Sequence, residues 1–285
     1  FLWLVSRLPY RLFCAIAEGV GLLAMKLSKT RLYFSQRNVE LCFPELNQTE
    51  RNKIVRDSFK GAGMALFESG FVWWPNKTLA KRCEMSGLEH IKKAQADGYN
   101  IMLFTPHVTC LEPSFSHFSL DIPVNILFRV HDNPLWEYMA GRGRRAYNVR
   151  MMPRKQVSEF LQLMEQGVPG LIAADQDMGK NRSLFVPFFG ISAATIPSVS
   201  SFAEQTNAKV LMVTAHRRLH QGYSVEVHPP LENFPSDDPV ADCTLTNKLM
   251  EGFIRQHPGD YLWQHRRFKT RPPGEPSLYD RKKKK

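Results

Sequence analysis

Residues 100–113 read NIMLFTPHVTCLEP, an apolar run followed by a histidine and a glutamate. The run at 100–105 has the length and composition of a buried strand, and a proline ends it. His107 stands just past the carboxyl end of this strand, which is where open α/β sheets place their sites. Glu112 follows five residues later, directly before Pro113. The stretch therefore predicts an α/β sheet with a candidate site at this strand end.

His107 and Glu112 suit proton transfer if the chain brings the two side chains together. Five positions along an ideal helix set two side chains about 140° apart, so a shared helix face does not explain the spacing. A turn after His107 and a helix beginning near Pro113 would join them, with Glu112 at the helix N-terminus. A histidine oriented by a carboxylate is a common general base for a hydroxyl. The alternative is a histidine with a structural role, because the spacing alone is a weak signal.

Strands and helices alternate on both sides of this stretch. Apolar runs predict strands at 100–105, 123–128, 149–152, 171–174, 209–215 and 223–227, the last two as a candidate pair. Helical patterns predict helices near 87–97, 133–146, 155–166, 196–206 and 242–257. Such alternation is typical of a mostly parallel central sheet flanked by helices, so we expect an α/β fold.

The first 30 residues are apolar, but charges divide them into runs well short of the roughly 20 residues that a spanning helix needs. Apolar side chains recur at helical spacing at Val5, Leu8, Leu12, Ile16, Val20, Leu23 and Leu27. Aromatic residues and the cations Arg7 and Arg11 accompany this stripe, as in helices that lie on anionic membranes. We therefore expect an amphipathic, membrane-associated N-terminal helix. The alternative is a helix that packs on the body of the protein.

The chain of 285 residues carries a formal net charge of +11, and its apolar fraction of 43% excludes wholesale disorder. The last six residues hold five cations and one anion, so most of the excess charge belongs to the body. A basic body favours phosphate-bearing or acidic partners, which include nucleic acid, an anionic membrane surface and acidic proteins.

Several other chemistries lack the residues they need. Five scattered cysteines without a CxxC pair exclude a zinc ribbon or thioredoxin-type site and indicate reduced thiols. His216 and His220 have a zinc-binding spacing but no evident third ligand, so we predict no metal. Cys110 is a candidate nucleophile for a covalent alternative. The chain has no GxSxG, phosphate-binding loop or GxGxxG after a strand, and we expect no cofactor.

Further motifs follow in order along the chain: NVELCFPE at 38–45, FR at 128–129 with NP at 133–134, GRGR at 141–144, DQDMG at 175–179, FVPFFG at 185–190 and YLWQHRRFKTRP at 261–272. Together with the Pro-His-x4-Glu element, this set resembles the HxxxxD/E acyltransferases that complete lipid A. These are the late, or secondary, lipid A acyltransferases, which include lauroyl and myristoyl transferases. The resemblance runs from about residue 38 to residue 279 and implies a glycerolipid-acyltransferase-like fold.

The resemblance implies transfer of a fatty acyl chain from acyl carrier protein to a hydroxyl of a 3-hydroxyacyl chain on a lipid A precursor. His107 would take the hydroxyl proton, and Glu112 would hold the histidine tautomer and stabilise the imidazolium. The hydroxyl would attack the thioester directly. Arg144, with Arg142 behind it, is implied as the donor to the tetrahedral oxyanion. The family also implies the cytoplasmic face of the inner membrane.

Substrate-binding roles are implied for further charged residues in the matched motifs. Asp175 and Asp177 would orient Arg144 or the acceptor sugar, with helix capping as the alternative. We predict a substrate-binding role for Arg129, and phosphate and headgroup contacts from Arg266, Arg267, Lys269 and Arg271. A solvated basic face or nucleic-acid binding are the alternatives for the last four, and the resemblance favours a lipid substrate over nucleic acid.

The sequence thus predicts a membrane-associated helix at 1–35, an acyltransferase domain at 36–279 and a basic tail at 280–285. A glycerophospholipid acyltransferase is the alternative enzyme. A basic peripheral membrane or nucleic-acid-binding protein is the alternative without catalysis.

Overall fold

The computed structural model describes residues 1–75, 79 and 81–279, so the predicted basic tail lies outside the described residues. Its strands are β1 (Cys83–Ser86), β2 (Asn100–Thr105), β3 (Val124–Phe128), β4 (Val149–Pro153), β5 (Gly170–Ala173), β6 (Leu184–Phe188), β7 (Ile191–Thr195), β8 (Ala208–Arg218) and β9 (Gly222–Val227). Seven of them form one sheet in the order β1-β9-β8-β2-β5-β3-β4. Only the β8–β9 pair in this sheet is antiparallel among the described strands, so the predicted mostly parallel sheet is confirmed.

The described helices are α1 (Leu2–Val5), α2 (Tyr10–Leu27), α3 (Lys29–Cys42), α4 (Gln48–Trp73), α5 (Leu88–Ala96), α6 (Leu111–Asp121), α7 (Pro134–Ala146), α8 (Val157–Glu165), α9 (Ser198–Gln205) and α10 (Pro239–Gln256). The longest of these, α4, begins at a capping box in which Asn47 and Glu50 each accept a backbone N–H from the other. The predicted helices after residue 86 all appear within a few residues of their expected bounds.

Strand β2 lies near the centre of the sheet, between β8 and β5. Residues 101–104 of β2 are all buried, because helices cover both faces of a parallel sheet. Parallel pairing also fixes the register at its carboxyl end, where Thr105 lies beside Ala173 of β5. This register positions the candidate site.

Three strands of the fold were not predicted from the sequence. Strand β1, with the sequence CEMS, has too little apolar character to be recognised. Strands β6 and β7 form a separate antiparallel hairpin, and both residues of its turn, Phe189 and Gly190, have positive φ. That backbone is typical of a tight hairpin turn, although phenylalanine is an unusual residue in such a conformation.

The N-terminal helix α2 packs along α4 through a face of small and aromatic residues. A Cβ atom at Gly63 would lie 2.2 Å from the backbone oxygen of Ala17, so the two backbones touch. Phe13 packs on Phe71, with ring centroids 4.6 Å apart. The apolar residues predicted to share one helix face therefore have different environments, because Val5 is buried whereas Leu12, Leu23 and Leu27 are exposed.

The buried face of α2 packs on the body of the protein, as the alternative interpretation of the N-terminal helix predicts. Membrane association of the exposed face of α2 stays a prediction. None of the described helices is long and apolar enough to cross a bilayer. Helix α3 runs across the predicted boundary at residue 35.

Candidate active site

His107 and Asp175 meet at the carboxyl ends of the neighbouring strands β2 and β5. Thr105 pairs with Ala173 in the parallel register, and the two site residues each follow two positions later. Nδ1 of His107 lies 2.5 Å from Oδ1 of Asp175, and the backbone N–H of His107 donates to Oδ2 at 3.0 Å. One carboxylate therefore fixes both the ring and the backbone of the histidine.

The environment keeps Asp175 ionised beside the histidine. Its side chain is 1% exposed, whereas that of His107 is 28% exposed and open to a substrate. Burial raises the pKa of the Asp175 carboxyl, but the charge and hydrogen bonds of His107 outweigh burial and lower this pKa to about 2. The carboxylate is therefore a fixed, buried anion beside the imidazole.

Glu112 and Arg144 form a second pair. Glu112 lies in the first turn of α6, and Arg144 lies in the last turn of α7. Nε of Arg144 donates to Oε1 at 2.8 Å, and Nη2 donates to Oε2 at 2.5 Å. Burial lowers the pKa of Arg144, but the adjoining carboxylate outweighs burial and raises it. The result is a bidentate, mostly buried ion pair.

The predicted pairing of His107 with Glu112 is wrong. Both oxygens of Glu112 are engaged by Arg144, and His107 is held by Asp175. The prediction that Asp175 orients Arg144 or a sugar is corrected by the same contacts. The reason is topological, because adjacent parallel strands bring Asp175 beside His107 although the two are 68 positions apart.

Gly143 places Arg144 by permitting a close helix crossing. A Cβ atom at Gly143 would lie 2.8 Å from the backbone oxygen of Val72 at the end of α4. Trp136, on the same side of α7, packs on Trp73 with ring centroids 4.5 Å apart. The second glycine of the GRGR motif thus lets α7 seat against α4 and brings the arginine to α6.

The loop after β2 is also held by the C-terminal segment. The backbone oxygen of His107 accepts from the N–H of Leu262 at 3.0 Å, and Val108 forms a bridge with Tyr261. Tyr261 adds a hydrogen bond that further lowers the pKa of Asp175. The YLWQHRRFKTRP motif therefore supports the site through its backbone and through Tyr261.

The predicted basic cluster at 266–271 is divided. Arg266 and Lys269 are exposed and remain candidates for phosphate contacts. Arg267 is 2% exposed and donates to the oxygen of Ala194 at 2.7 Å, so its predicted headgroup contact is wrong. Its guanidinium holds the β6–β7 hairpin instead.

Arg271 and Asp177 are likewise engaged within the protein. Arg271 donates to the backbone oxygen of Ser192 at 2.5 Å and pairs with Glu275, which replaces its predicted headgroup contact. Asp177 accepts from the N–H of Thr270 at 2.6 Å and is 6% exposed, so it does not face a substrate. These side chains tie the C-terminal segment to the body.

Arg129 and Arg142 are both exposed. Arg129 follows β3 and forms an exposed ion pair with Asp132 at 3.0 Å. Arg142 lies two residues before Arg144 on α7, on the opposite side from the buried glycines. Their substrate-binding roles stay predictions.

Half-buried apolar residues lie at the carboxyl ends of β3 and β4, and one of them contacts Arg144. Sδ of Met151 in β4 lies 3.7 Å from Nη1 of Arg144, and Met152 is also half-buried. The last three residues of β3, at 126–128, are half-buried as well. Met151 therefore brings apolar surface at the carboxyl end of β4 to the arginine.

Two further side chains bear on the chemistry. Cys110 is fully buried, and burial raises the pKa of its thiol, so a thiolate nucleophile is disfavoured. His265 was missed by sequence reasoning, although it lies in the most specific motif. Its Nε2 is buried without a hydrogen-bond partner in the described part of the chain, and burial lowers its pKa, with Asp175 and His107 among its charged neighbours.

Metal ions require a set of neighbouring side chains as ligands. Among residues 1–75, 79 and 81–279, no group of three or more His, Cys, Asp or Glu side chains could hold an ion. His216 instead stacks on His257 with ring centroids 4.0 Å apart.

Sequence comparisons with known proteins point to one enzyme family. The model of the bacterial lipid A biosynthesis acyltransferase family matches residues 1–270. The lipid A biosynthesis lauroyltransferase of Escherichia coli is 36% identical, and the alignment covers 98% of this chain and 92% of that protein. The palmitoleoyltransferase of the same organism is 35% identical with the same coverage. Among solved structures, the 1-acyl-sn-glycerophosphate acyltransferase PlsC of Thermotoga maritima aligns over 80% of this chain and 94% of that chain, with 14% identity and a TM-score of 0.36.

Proposed function

The chain belongs to the bacterial lipid A biosynthesis acyltransferase family, and we propose that it transfers a fatty acyl chain from acyl carrier protein to a hydroxyl of a 3-hydroxyacyl chain on a lipid A precursor. It is an acyltransferase. The observation that carries the proposal is the half-exposed His107 held by a buried Asp175 at a strand end. This arrangement suits a general base that acts on a hydroxyl.

In the proposed mechanism, Asp175 holds the Nδ1–H of His107 and leaves Nε2 as the proton acceptor. The acceptor hydroxyl loses its proton to Nε2 as its oxygen bonds to the thioester carbonyl carbon. The C–S bond then breaks, and the proton passes from the imidazolium to the leaving sulfur. The products are the ester and the free thiol of the carrier. Direct transfer fits the burial of Cys110, which does not suit an acyl-enzyme.

Arg144 is the proposed donor to the oxyanion. The Glu112 carboxylate engages Nε and Nη2 of the guanidinium, which fixes the plane of the group. Nη1 points instead toward the sulfur of Met151, on the apolar side of the pair. A fixed cation in a mostly buried position stabilises developing charge without reorganising. Glu112 therefore acts on Arg144 rather than on His107.

The apolar surface beside Arg144 is the proposed seat of the acyl chain. Met151, Met152 and the end of β3 are half-buried, and flexible methionine side chains adapt to an alkyl chain. An acyl group lying there would place its carbonyl near the guanidinium.

An anionic membrane surface is the proposed location, on the cytoplasmic face of the inner membrane. Large apolar side chains remain exposed on α1, on the residue before it and on α2, namely Phe1, Trp3, Leu4, Leu12, Leu23 and Leu27. Arg7 lies over the ring of Trp3 at 5.6 Å, which combines a cation with an interfacial aromatic. Exposed apolar and basic residues together favour the lipid interface.

The basic body suits the two other proposed partners. Exposed cations in the matched motifs include Arg129, Arg142, Arg266 and Lys269. Acyl carrier proteins are acidic, and opposite charge speeds encounter between proteins. Phosphates of the lipid A precursor would also be bound by such cations.

The test is acyl transfer by the purified protein. A lipid A precursor and a glycerophospholipid acceptor are each incubated with acyl carrier proteins of several chain lengths, and products are weighed by mass spectrometry. We expect one acyl increment on the lipid A precursor, and a loss of turnover of roughly 10²–10⁴-fold for His107→Ala. His90→Ala on α5 is the matched control and should keep full activity. Acylation of the glycerophospholipid alone would support the alternative enzyme, and full activity of His107→Ala would refute the mechanism.

A further inference from the structure

A buried set of charges holds the loop between His107 and Glu112. Its centre is Arg217, near the carboxyl end of β8, which is the neighbour of β2 in the sheet. Nη2 of Arg217 donates to the backbone oxygen of Thr109 at 2.8 Å, and Nη1 donates to the Thr109 hydroxyl at 2.5 Å. One guanidinium therefore binds both the backbone and the side chain of a residue two positions after His107.

Arg217 is itself fixed by Glu68 of α4. Nε donates to Oε1 at 3.1 Å and Nη2 donates to Oε2 at 2.6 Å, while the hydroxyl of Tyr223 also donates to Oε1 at 2.9 Å. The Glu68 side chain is 0% exposed. A buried carboxylate with these partners holds the arginine firmly, because removal of Arg217 would leave the fully buried Glu68 without its ion-pair partner.

Asp260 completes the enclosure of Thr109. The backbone N–H of Thr109 donates to the backbone oxygen of Asp260 at 2.7 Å. The Asp260 carboxylate in turn accepts from the backbone N–H of Arg217 at 3.3 Å. The N–H, the carbonyl and the hydroxyl of Thr109 are thus all engaged by this network.

We propose that Arg217 is a positioning residue that fixes the spacing between the His107–Asp175 pair and the Glu112–Arg144 pair; the inference rests on the acyl-transfer function proposed above. The loop at 107–112 carries one member of each pair. Asp175 and Leu262 hold its beginning, and Arg217 holds its middle. A misplacement of about 1 Å in reacting groups lowers rates by about 10²-fold, so a small shift at Thr109 has a large effect.

A purely structural role makes a different prediction from a positioning role. A structural residue lowers the melting temperature but leaves turnover per folded molecule unchanged. A positioning residue lowers kcat in the folded enzyme, and it does so through the pair it positions. The effect should therefore depend on whether that pair is intact.

The first measurement compares folded fraction, kcat and KM for Arg217→Lys. Lysine keeps the charge, but one ammonium cannot span Glu68 and both oxygens of Thr109. We expect kcat to fall at least 10-fold per folded molecule, with KM for the lipid acceptor changed less than 2-fold. Asn247→Ala is the matched control, because its buried amide holds the β6–β7 hairpin at the oxygen of Pro187. The melting temperature of the control should fall, and its kcat should equal that of the wild type.

A milder pair of variants covers the case in which Arg217→Lys does not fold. Thr109→Val is isosteric and removes only the hydroxyl contact, whereas Thr109→Ser retains the hydroxyl. We expect Thr109→Val to lower kcat roughly 3–10-fold and Thr109→Ser to restore most of the turnover.

The decisive measurement repeats Arg217→Lys in the Asp175→Asn background. If Arg217 acts by positioning the histidine pair, its substitution should cost less than 3-fold there, because that pair is already disabled. An equal loss in both backgrounds, or unchanged kcat in Arg217→Lys and Thr109→Val, overturns the inference. A wild-type protein that does not acylate the lipid A precursor refutes the proposed function instead, and the inference with it.

Discussion

Replacing Asp175 by asparagine should impair catalysis far more than it impairs folding. Burial raises the pKa of this carboxyl, but the charge and hydrogen bonds of His107 outweigh burial. The pKa therefore falls from 3.8 to about 2 in the folded protein. A shift of that size corresponds to roughly 2–3 kcal/mol of interaction between the carboxylate and its surroundings. Loss of this interaction from the imidazolium in the transition state would lower kcat roughly 10²-fold.

A second effect adds to the first. An asparagine amide can donate to Nδ1, which would leave the proton on Nε2 and remove the lone pair that accepts the hydroxyl proton. The same substitution in a serine protease triad costs about 10⁴-fold. We therefore expect kcat of Asp175→Asn to lie about 10²–10⁴-fold below wild type.

The assay is acyl transfer to the lipid A precursor, with Asp242→Asn as the control. Asp242 is another buried aspartate, and its carboxylate accepts from Ser236 at 2.8 Å. The control should lose stability and keep its turnover. If kcat of Asp175→Asn stays within threefold of wild type, the assignment of Asp175 to His107 is refuted.

The same substitution has a pH signature in stability. Because the folded pKa of Asp175 lies below its ordinary value of 3.8, its carboxylate stabilises the fold above about pH 4. That contribution is lost as pH falls toward 2. The difference in unfolding free energy between wild type and Asp175→Asn should therefore be largest near neutral pH and shrink in acid, as measured by urea titration.

Three further outcomes are expected. Arg144→Lys should lower kcat at least 100-fold, because an ammonium cannot replace the forked contact with Glu112 while facing an oxyanion; unchanged kcat in the transfer assay would move that role elsewhere. Gly63→Ala should lower the melting temperature, because the new Cβ would lie 2.2 Å from a backbone oxygen of α2. Gly19→Ala should raise the melting temperature, because its Cβ would have no atom within 4 Å and alanine favours the helix. Equal shifts of the two melting temperatures would contradict the tight α2–α4 contact. Serine at three exposed leucines should release the protein from anionic vesicles in a flotation assay, because each buried leucine contributes about 1.5–3 kcal/mol; retention with lower thermal stability would show that α2 does not contact lipid. The three are Leu12, Leu23 and Leu27.

The sequence predicts the sheet well where strands are buried on both faces. Strand β2 and its parallel neighbours appear as continuous apolar runs, and their positions are confirmed. Strand β1 lies at the sheet edge and alternates between half-buried and exposed residues, so its sequence carries little signal. The formation of an edge strand depends on pairing with its neighbouring strand, and the local sequence does not reveal that neighbour.

Charge alone does not separate substrate contacts from internal ones. The run at 266–271 looks uniformly basic, yet Arg267 points into the body while Arg266 and Lys269 face outward. Nη1 and Nη2 of Arg267 donate to the oxygens of Ala194 and Thr195, and these hydrogen bonds offset part of the cost of burying the guanidinium. Those acceptors lie in a hairpin that the sequence did not predict, so the outcome required the tertiary fold.

The histidine–glutamate spacing is meaningful, although not as a catalytic pair. His107 precedes α6 and Glu112 lies within its first turn, so their side chains leave the loop toward different partners. Each binds a charged partner on another element, His107 to Asp175 after β5 and Glu112 to Arg144 on α7. In the proposed mechanism, proton acceptance needs a free imidazole lone pair, and oxyanion stabilisation needs a cation at a separate point of the reacting group. A short loop that carries one member of each pair would keep those two points at a fixed separation, so under the proposed mechanism the spacing serves the chemistry even though the two residues do not bind each other.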